Sequence, residues 1–376
     1  MLHVIIYERG TVPLRMGFDI MKKCLALMLV VLFLFVLVAC NKKEQDVAVS
    51  PTPTPTPDPT PIVDNSKKFS LTTGLLYEED TVYHPIGIMV ENSSGARPQT
   101  GLQQADIIYE VIAEGDITRF FTIFNDTHPI QVGPVRSARI YYVNIQREWD
   151  IPYVHYGGPA GAGVFGVEGS NVAHIKVRVN GMVDSKHFWR SSDRKAPHNV
   201  YTDVTKINDD LYNYTPEYRN QFQFDEAVDL SGGTDFTKVK LPFVTNNNDF
   251  VSFTYDGTTG LLTRLEKGKV FQNTTVTEVD GKKSSATAPL TVKNLVVQYA
   301  DTKMAPGSTN GHRLVELTGS GNCEFFIGGK HFSGKWSRSS LNAATSYTLI
   351  DGTPLTLLPG NTWVAVHPSN KTIVVE

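Results

Sequence analysis

Gly133-Pro-Val-Arg-Ser-Ala-Arg139, continued by Ile140 to Asp150 and by Ile151-Pro-Tyr-Val-His-Tyr-Gly-Gly158, is the stretch around which the chain arranges itself. It reads as a tight turn, an amphipathic helix and a strand that runs out into glycine. Pro134 ends whatever precedes it, because it fixes φ and removes a backbone donor. Ser137 is the expected N-cap, its hydroxyl accepting from an orphan N–H of the first turn. Ala138, Tyr141, Tyr142, Ile145 and Trp149 recur at helical spacing and predict one apolar face, with Arg139, Asn144, Arg147 and Glu148 on the other. A helix start flanked by Arg136 and Arg139 is suited to an anion.

Upstream, Pro85 to Val90 reads as a buried strand ending at Glu91-Asn92. Asp106 to Glu114 alternates loosely. Gly115-Asp116 then turns the chain into Ile117 to Phe124, which predicts an antiparallel pair bringing Glu110, Glu114 and Arg119 near one another. Gly157 to Gly169 is glycine-rich and expected to be a loop over a site, because so much glycine is costly to order. Beyond it come Asp184, Lys186, His187, Arg190, Arg194 and His198. After Pro197, apolar spacing within 199–214 predicts a short helix.

The chain has 376 residues, enough for two domains with real cores. A formal net charge of -3, with no basic run in the soluble part, excludes a general nucleic-acid binder. Of the three cysteines, Cys24 lies in a hydrophobic segment and Cys40 ends it. Cys323 is thus the sole thiol of the body, expected to be a small buried hydrophobe, and the body must be held by its core.

Met21-Lys-Lys23, an apolar run to Val38 and Leu37-Val-Ala-Cys40 have the layout of a lipoprotein signal peptide over 21–39, with Cys40 the lipidated residue. The alternative is a transmembrane anchor, which would not need Ala-Cys at its outer end. Residues 1–20 fit no export signal and are expected to reflect a start assigned too early, with Met21 the true start. Two acyl chains on Cys40, palmitate among them, give stable membrane attachment. Residues 40–74 form the tether. Its Pro/Thr run over 50–61 favours extended polyproline helix, spanning roughly 35 Å.

The expected architecture is α+β. Residues 75–229 form a mixed α/β domain with antiparallel strands. Residues 230–376 form a mostly β domain of short runs between regular turns. Trp336 and Trp363 are either core or a sugar-stacking platform, and the core reading is preferred.

Pro85-Ile-Gly-Ile-Met-Val-Glu-Asn92, Arg97-Pro-Gln99, Tyr109-Glu110, Thr118-Arg119, Gly133 to Arg139 and His155-Tyr-Gly-Gly158 together resemble the YerB-type lipoproteins of Gram-positive bacteria. The similarity runs from roughly Tyr77 to Pro368. The resemblance implies an exported, lipid-anchored protein in two parts and carries over no catalytic residue.

The reading that follows is a non-catalytic envelope module on the outer face of the cell membrane. It binds an anionic wall polymer or an envelope partner protein through Arg97, Arg119, Arg136, Ser137, Arg139, His155, Tyr156, Gly157 and Gly158. Guanidinium forks suit carboxylate and phosphate. The alternative for any one arginine is internal ion pairing. A second hypothesis is a glycan hydrolase or transferase, which needs paired carboxylates; Glu91, Glu110, Glu114 and Asp184 are its candidates, with His198 beside them. A third, a metallohydrolase on His155, His187, His198 and Asp184, lacks any ligand pair at helix-face spacing. No metal and no cofactor is expected.

Overall fold

The computed structural model describes residues 69–77, 82–219, 222–244 and 250–376. The signal segment 21–39, Cys40 and the Pro/Thr run lie outside the described residues. Those described fall in one compact unit.

The molecule is mostly β. Its main sheet is built on β1 (Ile86–Val90), β3 (Ile107–Ile112) and β4 (Thr118–Phe124). Between the first two lies the short β2 (Gln99–Thr100). β4 is antiparallel to both β1 and β3, and the Gly115 turn carries a positive φ of 66°. On the far side of β1 come β5 (Tyr153–His155) and β6 (Arg178–Asn180), each parallel to its neighbour. Next to β3, Thr362–Pro368 runs parallel, and Asn294–Ala300, Gly319–Ile327 and Lys330–Arg338 follow. Strands from both expected domains therefore meet in one sheet.

The loose alternation of Asp106 to Glu114 has a physical cause. In β3 and β4 successive side chains point to opposite faces, and here both faces are covered. Ile108, Ile112, Phe120 and Phe124 pack on one side with Trp363 and Phe253. Ile107, Tyr109, Val111, Phe121 and Ile123 pack on the other. A strand buried on both faces reads as a near-continuous apolar run. Phe253 belongs to a second sheet formed by Lys238–Leu241, Val251–Asp256 and Leu261–Glu266.

Two α-helices occur among the described residues. α1 (Ile140–Trp149) lays Tyr141, Tyr142, Ile145 and Trp149 on the second face, as its spacing predicts. Its start differs from expectation. The N-cap is Arg139, with extended backbone and no side-chain cap, and Ser137 Oγ instead donates to Tyr156 O at 3.1 Å. Ser137 lies two residues short of the cap position, so its hydroxyl ties the segment to the chain leaving β5. Glu148 is also not on a solvated face: it is buried, 3.0 Å from the Arg338 guanidinium and accepting from Thr345 at 2.8 Å. α2 (Val204–Leu211) begins later than the spacing predicts, because Asp203 caps it by accepting from Lys206 N at 3.0 Å. Before it, β8 (Val200–Thr202) pairs with β7 (Phe188–Arg190).

Cys323 is buried in Gly319–Ile327, and burial pushes its thiol well above the ordinary value. Trp336 and Trp363 are core: Trp336 Nε1 donates to Tyr299 O at 2.8 Å, and Trp363 Nε1 to Glu110 Oε2 at 3.1 Å. Ser70, Thr72 and Thr73, placed in the tether by the sequence reading, are buried against the body, where their hydroxyls donate to Asp126 and Asp106.

Candidate functional site

β1, β5 and β6 run parallel, so the segments leaving their carboxyl ends gather at one edge of the sheet. A crevice at the carboxyl ends of parallel strands is the usual ligand position in open sheets. Here it is a cleft of about 590 Å³. Arg136 and Ser137 approach from the turn before α1, Tyr156 to Gly158 leave β5, and Arg178 and Asn180 belong to β6. Gly158 is required by close approach, since a Cβ there would lie 2.3 Å from Val167 Cγ2.

The charged side chains of the cleft are three guanidiniums and the Glu168 carboxylate. Arg136 Nε lies 3.3 Å from Glu91 Oε1. Arg178 and Arg190 have no carboxylate within ion-pair distance among the described residues. Arg178 Nε donates to His155 Nε2 at 3.0 Å, and Nη2 to Val167 O at 2.9 Å. Arg190 Nη1 donates to Asn199 Oδ1 at 2.7 Å, and its guanidinium stacks 5.2 Å from the Tyr156 ring centroid. Glu168, also on the lining, accepts from Gly161 N at 2.6 Å.

His155 lies beneath this surface with no exposure. Burial lowers its pKa to about 4, with Arg178 acting in the same sense. It is therefore the neutral imidazole, and its tautomer is fixed. Gly157 O can only accept, so Nδ1 carries the proton at 2.8 Å. An arginine can only donate, so Nε2 is the acceptor. His155 thus holds Arg178 rather than meeting a ligand.

The structure separates the other candidate arginines from the cleft. Arg139 grips Glu114 with two nitrogens, Nε to Oε1 and Nη2 to Oε2, the latter at 2.8 Å. Arg119 lies 3.6 Å from Glu114 and donates to Ser137 O at 2.8 Å. Burial pushes the Glu114 carboxyl up, but Arg139 and Arg119 outweigh it and hold it below the ordinary value. Arg97 pairs with Glu266 at 2.9 Å and donates to Asn92 O at 2.7 Å, lining a different, smaller hollow.

The candidate carboxylates are likewise dispersed. Glu110 and Arg119 are not partners. Glu110 points to the opposite face of β3, fully buried, 2.8 Å from Arg264 Nη2 and accepting from Thr118. Burial raises its carboxyl despite Arg264. Asp184 caps its own turn, accepting from Lys186 N and His187 N and bonding His187 Nδ1 at 2.7 Å. Glu91 reaches the cleft through Arg136. Its Oε1 also accepts from Ser93 at 2.7 Å and meets His198 Nδ1 at 2.9 Å.

Of the expected binding residues, then, Arg136, Ser137, Tyr156, Gly157 and Gly158 line one cleft, with His155 behind it. Sequence reading missed Arg178, Asn180 and Glu168 and left Arg190 without a role. Alternation across Val177-Arg-Val-Asn180 was the available signal, placing Arg178 and Asn180 on one face of a strand.

The family model described as the N-terminal domain of the proteins of unknown function DUF3048 matches residues 72–217. The model of the corresponding C-terminal domain matches residues 239–364. "Putative lipoprotein YerB" of Bacillus subtilis is 30% identical over 313 residues, which cover 82% of this chain and 88% of that protein. The crystal structure of the Bacillus subtilis YerB protein matches with a TM-score of 0.66 at 29% identity, covering 82% of this chain and 99% of the other. The chain belongs to this YerB-type DUF3048 family.

Proposed function

We propose that the protein is a lipid-anchored extracytoplasmic binding protein whose cleft beside β5 and β6 holds an anionic wall ligand or envelope partner. The observation that carries this reading is the placement of Arg178 and Arg190 on the cleft with hydrogen-bonded side chains and no carboxylate at ion-pair distance among the described residues, Glu168 being the one acidic side chain on the lining. Guanidiniums held ready in this way favour an anion from outside the fold, because their ordering has been met before binding. The name of the Bacillus subtilis relative supports anchoring through Cys40. Among the described residues no helix is long and apolar enough to cross a membrane.

The test is co-sedimentation of the full chain with purified cell-wall polymer. The wild type binds, with affinity falling as salt rises. The Arg178→Gln, Arg190→Gln double variant, folded by circular dichroism, binds at least tenfold more weakly. Equal binding by the two proteins removes the cleft from the reading.

A further inference from the structure

The cleft is not uniformly charged. Arg136, Arg178, Arg190 and Glu168 line it, and with Glu91, 3.3 Å from Arg136 Nε, these five groups carry a net of one positive charge. That balance suits a ligand group with one negative charge. A dianion would meet the Glu168 carboxylate. Beside the cations stand Met182 and Val183, 63% and 85% exposed and both on the cleft. Their backbone is held by Asn180, whose Oδ1 accepts from Met182 N and whose carbonyl accepts from Val183 N. Asn180 Oδ1 also accepts from Gly157 N at 2.9 Å. Asn180 lies on the lining, and with its oxygen taken twice its amide nitrogen is left as its donor.

From this juxtaposition we infer that the cleft takes the free carboxyl end of a peptide whose last side chain is small and aliphatic. The inference rests on the anion-binding reading above and names its ligand. Arg178 and Arg190 take the carboxylate, the Asn180 amide donates to a peptide carbonyl, and the aliphatic side chain covers Met182 and Val183. Carboxylate capture at a chain end is a recurrent mode of peptide recognition. A wall sugar phosphate has no use for the apolar rim. An acyl lipid needs a larger apolar surface than two side chains supply.

The test is calorimetric titration of the full chain in detergent with four probes: N-acetyl-trialanine, its carboxyl-terminal amide, inorganic phosphate and a short-chain phosphatidylglycerol. The free acid binds, and amidation weakens it at least tenfold. Arg190→Gln, at an exposed position, weakens the free acid by a similar factor. Met182→Ser with Val183→Ser weakens the peptide severalfold. Equal binding of acid and amide overturns the inference, as does preference for the lipid. Binding of phosphate without the peptide leaves the anion site standing and removes the peptide. No binding by any probe removes the peptide, and the anion-binding reading then falls only if co-sedimentation with wall polymer fails as well.

Discussion

Arg178 Nε donates to Nε2 of His155, a histidine with no exposed surface, at 3.0 Å. The bond exists only while the imidazole is neutral, because imidazolium has no acceptor. The residue that orients the cleft's cation is therefore sensitive to acid.

The pH dependence has a definite sign. The pKa of His155 falls from 6.5 to about 4 on folding, so below 6.5 the unfolded chain binds the proton more readily. The stability contributed is complete above pH 6.5 and is lost as pH falls through about 4, amounting to about 3 kcal/mol. Thermal midpoints of wild type and His155→Gln, measured from pH 7 to pH 4, should converge on the acid side. Parallel curves would show that His155 does not titrate with unfolding.

Arg139 is predicted to be structural. It is only 13% exposed and bidentate on Glu114, so Arg139→Ala leaves a carboxylate that, among the described residues, only Arg119 and His312 approach. The expected loss is about 2–3 kcal/mol in urea unfolding, below that of a fully buried pair. Adding Glu114→Gln should recover part of it. A midpoint unchanged in Arg139→Ala would return Arg139 to the list of ligand-binding residues.

Arg264 is fully buried among Phe120, Phe271 and Trp363, and meets both Glu110 and Glu266. Arg264→Met strands the Glu110 carboxylate in the core and should cost about 3–5 kcal/mol. Combining it with Glu110→Gln should cost less than Arg264→Met alone. Additive losses would falsify the coupling between these two residues, which come from the two halves of the chain.

Asp203 is predicted to matter only locally. Asp203→Ala removes the acceptor for Lys206 N and should destabilise by about 1 kcal/mol, whereas Asp203→Ser should be close to neutral. Equal loss in both variants would point to a role other than capping.

The sequence reading recovers what depends on neighbours along the chain. It places the Gly115 hairpin, the apolar face of α1, the strand running into Tyr156 and Gly157, and the buried Cys323. It places Ser137 wrongly as a cap, because a choice of cap turns on φ and ψ at Arg139, which β5 and Glu114 fix from a distance. Four arginines near one helix start look alike as letters. They differ in space because Glu114, Glu91 and Glu266 arrive from three other elements and claim Arg139, Arg136 and Arg97.

By itself, the sequence determined the family, the turn-helix-strand unit and a cationic neighbourhood around Arg136, since periodicity, turn chemistry and motif order are properties of adjacent residues. Only the tertiary structure decided which cations face the cleft. Arg178 reaches it because β6 lies parallel to β5 with His155 buried behind, and Arg190 reaches it from β7, paired with β8; pairings between strands leave no local mark in the order of residues.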